Sequence, residues 1–287
     1  MTRPAADTQA PDFAAVILAG ERDARDALRD HAGVASKALI EIDGRPMIAR
    51  VISALEGAAP VASVHLSGPA EAVVQGSDVL SGMIGQGRVS WTAPGPTPSS
   101  SAYAMLTGFP EDRKVMITTA DHPLLTSEIV DHFCRDAARS GCDVVVGLAP
   151  YDLVRGAYPD LKKTVLRFAD GQYCGCNLFA FLTADGRRMA DFWRQIERER
   201  KKPRVVIRML GLWAVLRYRL GWLTLERALA LLSRKAGLRV GVVVLPYAHA
   251  SVDVDSVDDY VVLQRYASAA RAPQAAPLPS SSREMQT

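Results

Sequence analysis

Short apolar runs alternate with amphipathic stretches through the first 150 residues. Residues 13–18 form an uninterrupted apolar run ending in Ala19-Gly20, which predicts a buried strand and a turn. Residues 21–36 are charged, and 38–43 alternate weakly. Gly44-Arg45-Pro46 opens a helix with proline in its first turn, and Ile48, Val51, Ile52 and Leu55 form its apolar stripe. A strand at 61–66, a weaker helix at 70–79 and a strand at 88–92 follow. The Pro/Gly/Ser loop 94–101 ends in Ser99-Ser100-Ser101, expected to cap a short helix running to Phe109. Residues 114–119 read as a strand ending in Ala120-Asp121-His122-Pro123. A helix starts near Thr126, and 144–147 is another buried strand. Such alternation predicts an α/β protein: a three-layer α/β/α sandwich on a mostly parallel mixed sheet.

The second half changes character. Residues 163–168 and 173–182 read as strands around an Asp170-Gly171 turn. Three helical stretches (185–201, 204–220 and 224–236) form a helical insertion over about 185–237. A strand at 239–245 and the segment Ser251-Val252-Asp253-Val254-Asp255-Ser256 lead into a last helix. The expected organisation is one domain over 13–267, between a disordered N-terminus (1–12) and a disordered Ala/Pro/Ser-rich tail (268–287).

Composition narrows the function. Of 287 residues, 48% are apolar, enough for a sizeable core, and the net charge of +3 is too small to point to nucleic acid. No stretch suits a signal peptide or a membrane span, so a cytoplasmic protein is expected. Cys134, Cys142, Cys174 and Cys176 include no Cys-x-x-Cys pair and no nearby His/Cys cluster. They read as free thiols rather than a zinc site.

In open α/β sheets ligands sit beyond the carboxyl ends of strands, and three such places carry polar chemistry. Leu18-Ala19-Gly20 runs into a loop with Arg22, Arg25 and, further on, Lys37. A glycine exposing backbone N–H groups beside cations suits phosphates. The spacing is that of neither a Walker A loop nor a Gly-x-Gly-x-x-Gly fingerprint. From spacing alone, a phosphate cradle and a solvated charged loop stand level. Asp121, at a strand end among small residues, suits Mg²⁺ or a turn. Asp253 and Asp255 alternate onto one face, where two carboxylates repel unless a cation separates them; the alternative is that Asp255 or Ser256 caps the last helix. A metal held by Asp121 and one of the distal pair would bridge phosphate oxygens and favour in-line phosphoryl chemistry.

Taken in order, these segments resemble the MobA-like NTP transferase domain, of the nucleotide-diphospho-sugar transferase fold. The resemblance rests on Val16-Ile17-Leu18-Ala19-Gly20, Ser36-Lys37-Ala38-Leu39, Gly44-Arg45-Pro46-Met47-Ile48, Thr119-Ala120-Asp121-His122-Pro123 and Asp253-Val254-Asp255-Ser256. It implies that Leu18, Ala19 and Gly20 hold a nucleotide, with Arg22 and Lys37 on its phosphates. Asp121, with Asp255 and Asp253, would bind Mg²⁺ or Mn²⁺, and Lys37, Arg22 and Asp121 would be catalytic. Ser100 and Ser101 resemble the base-pocket segment, and Gly175 and Asn177 an acceptor-contacting one. The implied activity is transfer of an NMP from an NTP, GTP or CTP first, to a phosphorylated small acceptor, in cofactor or lipid head-group synthesis. The alternatives are a glycosyltransferase and a non-catalytic nucleotide-binding module. Glu21 replaces the family's second glycine, and its carboxylate would crowd phosphates unless it points away. Outside the resemblance, 204–220 combines an apolar side with Arg204, Arg208, Arg217 and Arg219. It reads as a packed helix or as a peripheral membrane contact.

Overall fold

The computed structural model describes residues 11–21, 26–199 and 212–271. Arg22, Arg25, Arg204, Arg208 and most of both expected disordered ends lie outside them. The chain forms an eight-stranded mixed sheet. Its strands are β1 (Phe13–Leu18), β4 (Val61–Ser67), β5 (Ser90–Thr92), β6 (Lys114–Thr119), β7 (Val144–Pro150), β8 (Leu166–Phe168), β9 (Gly171–Phe181) and β10 (Val240–Val244). Their order is β10-β7-β9-β6-β1-β4-β5, with β8 paired to β9. β9 runs antiparallel to β6, β7 and β8, and the other pairs are parallel. Two-residue strands β2 (Glu41–Ile42) and β3 (Arg45–Pro46) form a separate ribbon.

Alternation along β1 builds two of the layers. Ala15 and Ile17 face one way, into a core shared with α2 (Met47–Glu56) and α6 (Ser127–Arg139) through Ile48, Ile52, Ile129 and Phe133. Val16 and Leu18 face the other way, onto α5 (Pro98–Thr107) and α8 (Ala184–Glu199) through Ala102, Leu106 and Ala190. The expected sandwich is therefore present, with helices on both faces.

α8, the first helix of the expected insertion, covers the sheet beside α5. Arg187 donates to the carbonyls of Leu106 at 3.2 Å and Phe109 at 2.7 Å, and Trp193 lies 5.4 Å from Phe179, ring to ring. An amphipathic stripe shows that a helix has a partner but not which one. The charged stretch after β1 contains a helix, α1 (Ala27–Ala32), capped by Asp26. The expected helix at 70–79 is two, α3 (Glu71–Gln75) and α4 (Asp78–Gly85), separated where Ser77 caps the second. Thr97, not the Ser99-Ser101 run, caps α5: its hydroxyl accepts from the Ser100 N–H at 3.2 Å while Ser100 Oγ accepts from the Thr97 N–H at 2.9 Å. The reciprocal pair satisfies two donors at once, which an isolated serine does not. Pro46 precedes α2 instead of lying inside it.

α7 (Tyr151–Ala157), α9 (Leu212–Arg219), α10 (Leu225–Ala236) and α11 (Val257–Arg271) complete the helices of the described residues, and the last one runs past 267. A third core joins the segment around Lys37 to the end of the chain through Leu28, Ile40, Met47, Val252, Val254 and Leu263. No helix of the described residues is long and apolar enough to cross a membrane. All four cysteines are free; Cys134, Cys174 and Cys176 are buried and Cys142 half-buried.

Candidate active site

β1 is flanked by β4 on one side and β6 on the other, so strand order reverses there. A crevice opens at such a point beyond the strands' carboxyl ends. It is a cleft of about 370 Å³ between the Ala19-Gly20 turn, Lys37, the start of α5, Asp121 and the Asp253–Asp255 segment. Leu18 pairs with Thr119 across its floor, and the Leu18 carbonyl accepts from the Ala120 N–H at 3.1 Å.

The Gly20 turn is held from behind. The Ser67 carbonyl accepts from the Ala19 N–H at 2.8 Å, and Gly68 lies against the turn so closely that a Cβ there would be 2.8 Å from the Gly20 nitrogen. Glu21 lines the cleft with its carboxylate already engaged. Its carboxylate takes the Arg29 guanidinium at 2.6 Å and the Lys37 backbone N–H at 2.9 Å. The acidic residue thus acts as a brace between β1's turn and the lysine segment.

Lys37 begins a short 3₁₀ turn (Lys37–Leu39) capped by the buried Ser36. Its ammonium reaches Asp121 Oδ2 at 3.2 Å and Asp255 Oδ1 at 2.8 Å. Burial pulls the Lys37 pKa down, but the two carboxylates outweigh it and hold the value above that of an ordinary lysine. Asp121 and the last segment are tied through backbone as well, the Asp121 carbonyl accepting from the Val254 N–H at 2.9 Å.

The distal aspartates are not equivalent. Asp253 is spent internally: Lys163 forms an ion pair with one oxygen and the Asn177 amide donates to the other at 3.0 Å. Burial raises its pKa, but Lys163 and Asn177 more than offset this and keep it below the ordinary carboxylate value. Asp255 is largely exposed and free of capping duty. Ser256 caps α11 instead, its hydroxyl accepting from the Asp259 N–H at 3.2 Å. Both aspartates line the cleft, but only Asp253 is held by Lys163 and Asn177.

The remaining expected residues divide. Leu18, Ala19, Gly20, Ser101 and Asn177 line the cleft. Ser101 Oγ accepts from the Gly95 N–H at 2.9 Å, while Ser100 is consumed by the α5 cap. Gly175 sits in the ladder opposite Leu148, outside the lining, and Arg22 falls outside the described residues. Lys163 was not singled out in the sequence. Its neighbour Lys162 pairs with Asp258 at the surface, and nothing in the pair Lys162-Lys163 marks which one is buried.

Asp121 Oδ1 is buried with no hydrogen-bond partner. Five carboxylates and one ammonium line the cleft among the described residues. An orphaned carboxylate oxygen in an acidic cleft fits a divalent cation, although no cluster of three or more His, Cys, Asp or Glu is present among the described residues. Two carboxylates with remaining positions left to phosphate and water is the usual arrangement for Mg²⁺ beside a nucleotide.

Residues 15–208 match the MobA-like NTP transferase domain. The chain belongs to that family. Its structure resembles a hypothetical transferase from Thermus thermophilus, with a TM-score of 0.71 and 26% identity over 88% of this chain and 100% of the other. It shares its fold with a CMP:2-keto-3-deoxy-manno-octonic acid synthetase complexed with CTP (TM-score 0.56, 12% identity, 91% of this chain and 100% of the other). The same holds for the 4-diphosphocytidyl-2C-methyl-D-erythritol synthase of Anaerococcus prevotii (TM-score 0.52, 12% identity, 88% and 95%). No curated protein matches the sequence. The MobA-like match covers both Lys37 and Asp121 but stops before Asp253 and Asp255, which the fold brings to the same cleft.

Proposed function

We propose that this MobA-like domain is a nucleotidyltransferase that moves an NMP from an NTP to a phosphorylated small acceptor and releases pyrophosphate. The observation that carries the reading is Lys37, whose ammonium is shared by Asp121 and Asp255 at the floor of the cleft. Asp121 Oδ1 and Asp255 are the atoms that would hold Mg²⁺ or Mn²⁺, which supplies charge neutralisation on phosphate oxygens. The acidic lining makes the same point: a bare triphosphate would be repelled, while a cation-bound one brings compensating charge.

The chain's own groups then have distinct work. The Gly20 turn would offer backbone N–H to phosphate, and glycine there lets Pro94 pack against the turn. An acceptor phosphate oxygen attacks the α-phosphorus in line; that P–O bond forms as the α–β anhydride bond breaks, and pyrophosphate departs with the electron pair. Lys37 neutralises the charge that builds on the departing oxygens. Asn177, held by Asp253, would contact the acceptor. CTP is the first nucleotide to test, because two enzymes of this fold carry cytidylyl chemistry in their names, and GTP is the second.

A pyrophosphate-release screen of four NTPs with Mg²⁺ against phosphorylated alcohols and sugars tests the proposal. Lys37→Ala is expected to lower turnover at least ~10-fold, or ~1.4 kcal/mol of barrier. Asp121→Ala should abolish turnover while the protein stays folded. Near-wild-type rates in Lys37→Ala would refute the role of the lysine, and no thermal shift with any NTP would refute nucleotide binding.

A further inference from the structure

Beyond the cleft, the described residues carry seven exposed large apolar side chains, and three of them lie within seven residues of one another: Leu216, Leu220 and Trp222. The segment has a fixed side and a free side. On the fixed side, the Tyr218 hydroxyl accepts from the Arg167 N–H at 3.2 Å, its ring stands 5.7 Å from that of Phe168, and the buried Leu223 accepts from the Ala169 N–H at 2.9 Å. On the free side, Leu220 follows the last residue of α9 and donates its N–H to the Leu216 carbonyl at 2.9 Å, so the turn is continued and the two leucines, four apart, share a face. Gly221, at φ +71°, turns the chain so that Trp222 follows them, 66% exposed.

Charge accompanies this apolar knob. Arg217 and Arg219 are exposed beside it. Over residues 212–235 there are five Lys or Arg and one acidic residue, Glu226, against a net charge of only +3 for the whole chain. The cations are therefore concentrated here. An exposed tryptophan and two leucines flanked by arginines complement the interface of an anionic bilayer, where aromatic and aliphatic groups enter the headgroup layer and guanidinium groups meet lipid phosphate.

The position matters too. The knob is fastened to the β8–β9 hairpin, which extends past Pro150 beyond the carboxyl edge of β7, and β9 continues into Asn177 at the cleft. We infer that Leu216, Leu220, Trp222, Arg217 and Arg219 form a peripheral docking surface for anionic membranes, on the sheet edge where the cleft opens. Docking does not depend on the transfer reaction, so vesicle binding tests it separately from the proposed activity.

The experiment is co-sedimentation of the full chain with vesicles of phosphatidylcholine alone and of phosphatidylcholine with three parts in ten phosphatidylglycerol, at low and physiological salt. Binding is expected on the anionic vesicles, weakening with salt. R217E/R219E should weaken it at least ~10-fold, since each cation near such a surface contributes on the order of a factor of five. Trp222→Ser should weaken binding to the anionic vesicles at both salt concentrations. All these side chains are exposed, and circular dichroism melting confirms that the variants fold. Absence of binding at low salt, or binding unchanged in both variants, overturns the inference. So does a dimer in solution that Trp222→Ser dissociates, which would make the knob a contact between copies.

Discussion

At the scale of single residues, the cleft depends on a glycine that has no polar chemistry. Gly68 has φ +88°, and a Cβ there would lie 2.8 Å from the Gly20 nitrogen and 2.9 Å from the Ala19 carbonyl carbon. Those are backbone atoms of the turn proposed to meet phosphate, and they have no rotamer with which to retreat. Gly68→Ala is therefore expected to displace the turn and weaken NTP binding at least ~10-fold in a titration, beyond the ~1–3 kcal/mol of backbone strain. Gly33→Ala separates the two effects. Gly33 has φ +66° but open space around its Cβ position, so that variant should melt earlier while binding NTP normally. Equal loss of binding in both would show that strain alone, and not the contact with Gly20, is responsible. The sequence made Gly20, Lys37 and Asp121 legible because each follows an apolar run or a small-residue turn. Gly68 and Lys163 were not legible, since their roles consist of contacts with β1 and with Asp253, which are distant in the chain.

At the scale of elements, the same division recurs. Strand positions were readable because buried strands are continuous apolar runs, and β1, β6 and the β8–β9 hairpin stand close to where periodicity puts them. The direction of β9 and the docking of α8 on α5 were not, because pattern specifies a buried face and not its partner. β10 illustrates how an edge strand is secured. Asp143, just before β7, accepts from the Arg239 backbone N–H at 2.8 Å, from the Arg239 guanidinium and from Thr183 Oγ1 at 3.1 Å, so one carboxylate joins the starts of β7 and β10 to the end of β9. The Arg239 side-chain hydrogen bonds, partly opposed by burial and helped by the Arg239 N–H and Thr183, pull this carboxyl from 3.8 to about 2. A depressed pKa means stability that is fully present above the unfolded value and disappears as pH falls through about 2. Asp143→Asn should thus melt earlier than wild type by a constant margin from neutral pH down to about 5, and the margin should narrow toward pH 2. A margin independent of pH would mean that the carboxylate's charge contributes nothing.

At the scale of the whole molecule, the cleft is a meeting of segments far apart in sequence. Lys37 lies 84 residues from Asp121 and 218 from Asp255, and the third core that seats the lysine includes Val252, Val254 and Leu263 from the chain's last quarter. On the proposed function, that assembly would make metal and nucleotide interdependent. A divalent cation approaching Asp121 and Asp255 would meet carboxylates already paired with Lys37 and should bind weakly alone. A triphosphate arriving with the cation would offer Lys37 new oxygens and leave both carboxylates to the metal. Each ligand would then raise the affinity of the other by the same factor. In a thermal-shift square of Mg²⁺ alone, CTP alone and both together, the combined shift should exceed the sum of the separate ones. Ligand at 100 times its Kd contributes about 2.7 kcal/mol. Lys37→Met removes the competing cation. It should bind Mg²⁺ alone more tightly than wild type while losing most of the coupling, even though the lost ammonium leaves Asp121 and Asp255 facing each other and lowers the melting temperature without metal. Additive shifts in the wild type, or Mg²⁺ binding unaltered by Lys37→Met, would mean that lysine and metal do not share the two carboxylates.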